Sequence, residues 1–206
     1  GVWDELEDRS GTRSVRGGFG RKAQGMAKVE YAASLFLVDR RPGLPGSGVT
    51  ATMEGVRPLL VGVQALVAST AQPAARRSAR GLDSARLDLI LAVLQARAGR
   101  PVASYDVYAS VAGGLKVHDA GADLAIALAV ASALIGEALP EGLVAIGELG
   151  LGGELRQAGQ TVRRLDEAAR LGFRIAVVPE STPDVDGITL LRPNHIRDVL
   201  DALDPG

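Results

Sequence analysis

The sequence contains no cysteine, and this absence excludes several kinds of site at once. A chain without thiols cannot form disulfides, cysteine-ligated zinc ribbons or cysteine nucleophiles. Long apolar runs are absent as well, because the longest, residues 124–135, falls well short of the roughly 20 residues that a membrane span needs. Nothing in the sequence resembles a signal peptide. We therefore expect a protein of the reducing cytoplasm that has no membrane partner.

Aromatic residues and lysines are both scarce. Aromatics make up 3% of the 206 residues, whereas hydrophobic residues as a whole make up 47%. The core must therefore be built from Ala, Val, Leu and Ile, and the length is enough for one substantial domain. The lysines are Lys22, Lys28 and Lys116, so few side chains could serve as an amine base.

The net charge of −1 conceals a basic stretch near the start of the chain. No acidic residue occurs between Arg9 and Lys28, and the stretch includes Arg16. We predict that residues 1–34 form a basic arm and that residues 35–206 form the folded domain. The arm is open to two interpretations. It is either a solvated tail, or a segment whose cations, Arg16 among them, contact nucleic-acid phosphates.

Hydrophobic periodicity predicts an α+β or α/β layered domain with a mixed sheet and packed helices. The runs 49–54 and 58–67, joined by a short turn that contains Gly55, indicate a β-hairpin. The stretch 122–135 is apolar on every face and indicates a central helix. The remaining predicted elements are helices at 82–98, 160–171 and 196–203, strands at 106–111, 144–146, 175–178 and 188–191, and a glycine-rich turn over 147–153.

The helix predicted at 160–171 is amphipathic. Val162, Leu165 and Ala169 form its apolar face. Its charged residues, including Arg163 and Arg164, fall on the opposite face, which we expect to lie in solvent.

A polar loop is predicted from Ser69 to Arg80, and it carries three arginines, Arg76, Arg77 and Arg80. Arginines grouped on one loop are suited to phosphate contacts. Because no aromatic residue stands nearby in the sequence, we expect no base stacking, and binding would be independent of base sequence. A solvated loop without a ligand is the alternative interpretation.

Neither a nucleotide site nor a metal site is predicted. The stretch Gly43 to Thr50 nearly matches the phosphate-binding loop G-x-x-x-x-G-K-[ST], but Val49 occupies the lysine position. Its flanking residues do not predict the preceding strand and following helix that such a loop needs. His118 and His195 are expected at the surface, without a third metal ligand at suitable spacing. We therefore expect no ATP-binding loop and no cofactor in this chain.

Three segments together resemble a known family. They are EGVRPLLVGVQALV at 54–67, DVYASVAGGLKVHDAGADLAIALAVASAL at 106–134 and IGELGLGGELR at 146–156. With the family's spacing kept over residues 49–203, they resemble the C-terminal domain of RadA-type (Sms) DNA repair proteins. That domain is similar to the proteolytic domain of Lon proteases. The resemblance therefore implies a Lon-protease-like (ribosomal-protein-like) α+β fold.

Lon-type proteases use a serine–lysine dyad, in which a lysine of lowered pKa activates the serine hydroxyl. By resemblance, Ala122 occupies the serine position and Val162 the lysine position. Both positions are then vestigial, and the chain is expected not to be an enzyme. An active Lon-type peptidase is the alternative, with Lys116 as base and Ser110 or Ser132 as nucleophile.

RadA-type proteins carry a zinc ribbon and a RecA-like ATPase core upstream of this domain, and the family resembles ATP-dependent DNA branch-migration ATPases. We expect neither upstream part in this chain, and Arg16 to Gly20 resembles a degraded form of the family's K-N-R-F-G motif. The resemblance implies a scaffold that forms a homo-oligomer, a hexameric ring, and holds double-stranded or branched DNA. A structural or remnant module without DNA binding is a further alternative. The candidate DNA contacts are Arg76, Arg77, Arg80, Lys116, Arg163, Arg164 and Arg16.

Overall fold

The computed structural model describes residues 43–70 and 72–203. The basic arm predicted at residues 1–34, together with Arg16, lies outside these residues. The division into an arm and a domain therefore stays a prediction.

The described chain starts with the predicted hairpin. Strands β1 (Ser47–Glu54) and β2 (Arg57–Ser69) are antiparallel. Glu54 pairs with Arg57, so Gly55 and Val56 alone form the turn. Gly55 has a φ of +60°, a conformation that costs glycine little.

Two further strands complete the first sheet, β3 (Arg77–Arg80) and β4 (Tyr105–Val111). The strand order is β1-β2-β4-β3. Because β4 runs antiparallel to β2 and parallel to β3, the sheet is mixed, as predicted. The predicted loop is wrong from Arg77 to Arg80. The physical reason is long-range: β4 offers an open edge, and a short polar segment can add to it through backbone hydrogen bonds alone.

Helices α1 (Ser84–Arg97) and α2 (Asp123–Ile135) share one core cluster with β2 and β4. The carboxylate of Asp83 accepts a hydrogen bond of 2.9 Å from the backbone N–H of Arg86. This N-cap explains why α1 begins at Ser84, two residues after the predicted start. Every residue of α2 from Asp123 to Ser132 is buried, which confirms the predicted central helix.

The rest of the chain adds a second, parallel sheet. Its strand order is β5-β8-β9. Strands β6 and β7 form a small separate hairpin, and the predicted glycine-rich turn connects them. None of the described helices is long and apolar enough to cross a membrane. The elements are β5 (Leu143–Ala145), β6 (Glu148–Leu149), β7 (Leu155–Arg156), α3 (Thr161–Arg170), β8 (Ile175–Val177), β9 (Thr189–Leu191) and α4 (Ile196–Leu203).

Buried residues form two clusters, one on each face of the first sheet. The larger cluster joins Val63 and Val107 of the sheet to α1, α2 and α4. The smaller joins Val49 and Leu60 to Leu165 of α3 and to Ala176 of the second sheet. The fold is α+β with a mixed sheet. The second cluster covers β1 and the first half of β2, and residues at the far end of the same face are exposed, among them Leu66.

The predicted faces of α3 are confirmed at Leu165, which is buried, and are wrong at two positions. Val162, expected to be buried, is 40% exposed, whereas Arg164, expected in solvent, is 3% exposed. The buried side of α3 consists of Thr161, Arg164, Leu165 and Ala168. An arginine is tolerated there because Asp119 lies opposite it and neutralises its charge.

Candidate nucleic-acid interface

The arginines near β3 separate by face. Ser78 pairs with Tyr108 and Arg80 pairs with Ser110, so these four side chains share one face of the sheet. The opposite face of β4 is buried against the helices, and Arg77 belongs to that side. Arg76, directly before β3, is exposed, and its carbonyl accepts a hydrogen bond of 2.8 Å from the backbone N–H of Val107 on β4. This bond continues the pairing of β3, so the strand alternation assigns Arg76 to the same face as Arg80. We call the exposed face formed by Arg76, Ser78, Arg80 and Tyr108 the outer face.

Charge on the two faces is neutralised differently. Nη1 of Arg77 lies 3.2 Å from Oδ1 of Asp88 on α1. Within residues 43–70 and 72–203, the side chains of Arg76, Arg80 and Lys116 make no hydrogen bond or ion pair. These three positive charges are therefore available to an external anion.

Lys116 lies beside the end of β3. The backbone N–H of Val117 donates to the carbonyl of Gly81 at 2.8 Å, and Val117 forms an isolated parallel bridge with Leu82. This close approach needs glycine, because a β-carbon on Gly81 would lie 2.3 Å from the carbonyl oxygen of Leu115. The lysine thus extends the positive edge beyond Arg80.

An aromatic and an aliphatic side chain lie on the outer face. Tyr108 is 38% exposed and Leu66 is 61% exposed, and the two are paired across β2 and β4. An aromatic residue thus shares a face with Arg80 in the folded chain, although none stands near the arginines in the sequence, and the expectation of no base stacking lacks its premise. The sequence separates Ser78 from Tyr108 by a helix and a loop, and only the parallel pairing of β3 with β4 brings them together.

The remaining candidate DNA contacts lie elsewhere. Arg163 is exposed on α3, where Nη1 donates to Oε1 of Gln160 at 2.9 Å. This helix packs against β1 and β2, whereas β3 is the opposite edge strand of the sheet. Arg164 is buried, and its guanidinium donates to the carbonyl oxygens of Ala51 at 2.7 Å and of Gly159 at 2.8 Å. The structure therefore contradicts Arg164 as a surface contact.

Arg164 belongs to a buried ion pair that ties α3 to the loop before α2. Its Nη1 lies 2.5 Å from Oδ2 of Asp119. Asp119 also accepts from the backbone N–H of Gly121 at 2.8 Å and of Met53 at 3.4 Å. Burial alone would raise the pKa of Asp119, but the hydrogen bonds from Arg164 and Gly121 outweigh it and hold that pKa below its ordinary value.

A second buried ion pair lies at the start of α2. Nε of Arg86 lies 2.5 Å from Oδ1 of Asp123, and the backbone N–H of Leu149 donates to Oδ2 at 3.2 Å. Burial raises the pKa of Asp123, and the Arg86 guanidinium offsets this only in part. The pair lines a cleft of about 540 Å³ between α1 and the β6–β7 hairpin, whose rim includes Glu148 and Glu154.

The positions implied by the Lon resemblance carry no acid, base or nucleophile. Ala122 is buried in a short turn before α2, and Val162 is exposed on α3. Ser132, the alternative nucleophile, is fully buried. Its hydroxyl donates to the carbonyl of Glu137 and accepts from the backbone N–H of Gly46 at 2.9 Å. A substrate cannot reach this oxygen without opening α2, and Lys116 is exposed beside β3.

The two histidines differ from each other. His118 is exposed, as predicted. His195 is half-buried: its Nε2 lies 2.9 Å from the carbonyl oxygen of Gly152, and its Nδ1 accepts from the backbone N–H of Arg197 at 3.0 Å. Nε2 of His195 thus contacts the glycine-rich hairpin, whereas Nδ1 accepts a local hydrogen bond at the start of α4. Among the residues that the structure describes, no three His, Asp or Glu side chains are grouped to hold a metal ion.

One protein-family model matches part of this chain. The model of a family described as subunit ChlI of Mg-chelatase matches residues 92–182. This stretch runs from within α1 to just beyond β8.

Individual relatives share the name DNA repair protein RadA. The protein from Mycolicibacterium smegmatis is 44% identical over 193 residues, which cover 93% of this chain and 41% of the relative. The Pseudomonas aeruginosa protein is 38% identical over 201 residues, covering 96% of this chain and 44% of the relative. The Halalkalibacterium halodurans protein is 39% identical over 175 residues, or 85% and 38%. The chain is similar to these proteins over most of its own length, and it spans about two fifths of theirs.

The comparisons overturn the expectation that the chain is not an enzyme and has no ATP-binding loop. The matching family is named as a subunit of an enzyme, Mg-chelatase, and it covers the centre of the described fold. The expectation was drawn from single positions, namely Ala122, Val162 and Val49. Such positions bear on one serine–lysine dyad and one loop motif, and they do not decide whether a chain belongs to an enzyme.

Proposed function

We propose that this chain is the DNA-binding and self-assembling part of a RadA-type DNA repair protein. The proposal is supported by the similarity to relatives named DNA repair protein RadA over most of the chain. The Lon-like assignment of its α+β fold is part of the proposal and rests on the three segments at 54–67, 106–134 and 146–156. A location with the chromosome, in the cytoplasm, is the corresponding part of the proposal.

One observation carries the DNA-binding part of the proposal. Arg76, Arg80 and Lys116 lie along one edge of the first sheet, and their charges have no partner among the described residues. Such a positive edge attracts phosphates because they are negatively charged. Since every nucleotide carries a phosphate, this binding would be independent of base sequence. Arg77 is left out of the proposed contacts because Asp88 already balances its charge, and Arg163, at the other side of the sheet, is a weaker contact.

Duplex binding should depend steeply on salt. Each phosphate contact lowers the slope of log K against log salt by about 0.9, so three contacts correspond to a loss of roughly 40-fold between 50 and 200 mM salt. Assembly into a ring would multiply the contacts and raise the apparent affinity further through multivalency. A double-stranded or branched substrate that crosses several copies is therefore the expected partner.

The test is fluorescence anisotropy of a labelled 30-base-pair duplex in 50 mM salt. The variant Arg76→Ala, Arg80→Ala, Lys116→Ala should bind more weakly at 50 mM salt, and the slope of log K against log salt should become shallower by about 2.7, so that the roughly 40-fold loss between 50 and 200 mM salt disappears. Arg77→Ala is the matched control, because that charge faces the helices and is already paired, and it should change affinity by no more than about twofold. Absence of duplex binding at micromolar protein would refute the proposal.

Self-association is measured separately by analytical ultracentrifugation over a range of concentrations. A homo-oligomer, with a hexamer as its complete form, is expected. A strict monomer at the highest concentration would contradict the assembly part of the proposal and leave the DNA-binding part intact.

A further inference from the structure

We propose that the outer face binds single-stranded nucleic acid, with one base stacked on Tyr108 and the backbone held by Arg76 and Arg80. This inference rests on the proposed function, because it assigns a specific ligand form to the same basic edge. It departs from the expectation of contacts without base stacking to double-stranded or branched DNA.

The strand register supplies the geometry. Tyr108 pairs with Ser78 on one side and with Leu66 on the other. Since Ser78 is small, the tyrosine ring is open towards the edge of the sheet. Arg76 and Arg80 lie two residues on either side of Ser78, so their Cα atoms are about 13 Å apart along the strand. An extended strand can place one base on the ring while its flanking phosphates meet the two guanidinium groups.

The charge on this face favours an anion. Arg76 and Arg80 contribute two positive charges that have no partner in the described residues. Asp106 contributes one negative charge, and its carboxylate accepts a hydrogen bond of 2.7 Å from the backbone N–H of Arg76. Lys116 adds a positive charge beyond the end of β3. The face therefore remains positive around an exposed aromatic ring.

The combination of ring and cations separates single strands from other ligands. In a duplex the bases are stacked on each other and cannot reach an aromatic side chain, whereas single-strand binders stack bases on aromatics beside a basic groove. Each stacked base contributes about 5- to 150-fold in affinity. A protein partner would need a wider apolar patch than Leu66 and Tyr108, and the arginines would have to find acidic residues on it.

The experiment measures binding of the full chain to a labelled 15-nucleotide thymidine strand and, in parallel, to the duplex. Tyr108→Ala should weaken single-strand binding by about 5- to 150-fold, while Tyr108→Phe, which keeps the ring, should stay within about twofold. Arg76→Ala with Arg80→Ala should reduce the salt slope by about 1.4. Arg77→Ala, on the other face, should leave both affinity and slope unchanged. Leu151→Ala removes an exposed apolar side chain outside the outer face, since Leu151 is 66% exposed. This control variant should leave single-strand affinity unchanged.

A second readout locates the contact directly. Irradiation of a strand that contains 5-iodouracil should produce an adduct on Tyr108, identified by fragmentation of the peptide that carries it. An adduct at another aromatic residue with Tyr108 unmodified would overturn the inference. Thermal unfolding of each variant shows that the fold is retained.

The outcomes distinguish this inference from the proposed function. Loss of single-strand affinity in Tyr108→Ala with duplex affinity unchanged supports it. Equal single-strand affinity in Tyr108→Ala and wild type, with both ligands lost in the arginine variant, overturns stacking and leaves DNA binding standing. Absence of binding to either ligand refutes both. A Tyr108→Ala variant that changes only the oligomeric state assigns the face to a second copy of the chain, and the inference fails.

Discussion

The buried pair of Arg164 and Asp119 is predicted to be a main determinant of stability. Replacing Arg164 with Met keeps an unbranched apolar stem but removes the guanidinium. The substitution leaves the Asp119 carboxylate without its cation, and it leaves the carbonyls of Ala51 and Gly159 without their donors. In solvent, where sequence periodicity places Arg164, the same substitution would have little effect.

The magnitude follows from the exposure of the two partners. Breaking a fully buried ion pair costs about 3–5 kcal/mol. The side chain of Arg164 is 3% exposed but that of Asp119 is 20% exposed, so Asp119 can recover some hydration and also keeps its bonds from Gly121 and Met53. We therefore expect about 3 kcal/mol, the lower end of that range.

Urea denaturation at pH 7 measures this effect as a shift of the midpoint at constant slope. Arg163→Met is the matched control, because the neighbouring side chain is exposed and should change stability by no more than about 0.5 kcal/mol. Equal stabilities of the Arg164 and Arg163 variants would refute the reasoning. So would a cycle with Asp119→Asn in which the two single losses simply add, because paired charges should be strongly non-additive.

The same pair predicts a pH dependence. The pKa of Asp119 in the folded protein is lowered from 3.8, so its stabilising contribution is fully present above that value and is lost as the pH falls through the lowered pKa. The stability gap between wild type and Arg164→Met should therefore shrink in acid. A gap that stays constant between pH 7 and pH 3 would contradict the assignment.

Two further predictions concern the buried pair at α2 and the turn after β3. Arg86→Ala should destabilise the fold by about 3 kcal/mol, because it leaves the buried charge of Asp123 without a partner. Asp123→Asn should cost only about 1 kcal/mol, because Arg86 is about one third exposed and can be hydrated. Urea midpoints that rank the two variants in the reverse order would contradict this prediction. Gly81→Ala should destabilise by at least about 2 kcal/mol, because its β-carbon would meet the Leu115 carbonyl at 2.3 Å. Gly99→Ala, with a similar φ of +67° and open space around it, should cost only about 1 kcal/mol in the same assay.

Local pattern was enough for the elements whose signal lies within a few residues. The β1–β2 hairpin follows from two apolar runs and a glycine turn, and α2 follows from uninterrupted apolar character. The strand predicted at 106–111 is confirmed as part of β4. In each case the free energy of burial favours one arrangement whatever the rest of the chain does.

Hydrophobic periodicity gave wrong predictions where a residue remote in the sequence stabilises the segment. Periodicity placed Arg164 in solvent because a lone buried arginine is too costly, but Asp119 removes that cost. The segment Arg77–Arg80 has no apolar alternation, and it is a strand because β4 provides an edge for its backbone. The missed aromatic, Tyr108, lies far along the sequence from the arginines with which it shares a face of the sheet.

The sequence by itself determined the chemistry that this protein has available: no thiols, an aliphatic core, and cations that are nearly all arginines. It also determined the α+β order of elements, because hydrophobic periodicity is a local property. Only the tertiary structure decided which arginines can meet a ligand. Arg76 and Arg80 lie beside Tyr108 on the outer face, Arg77 is paired with Asp88, and Arg164 is buried. That division depends on the register of β3 against β4 and on the packing of α3, both of which are contacts between residues remote in the chain.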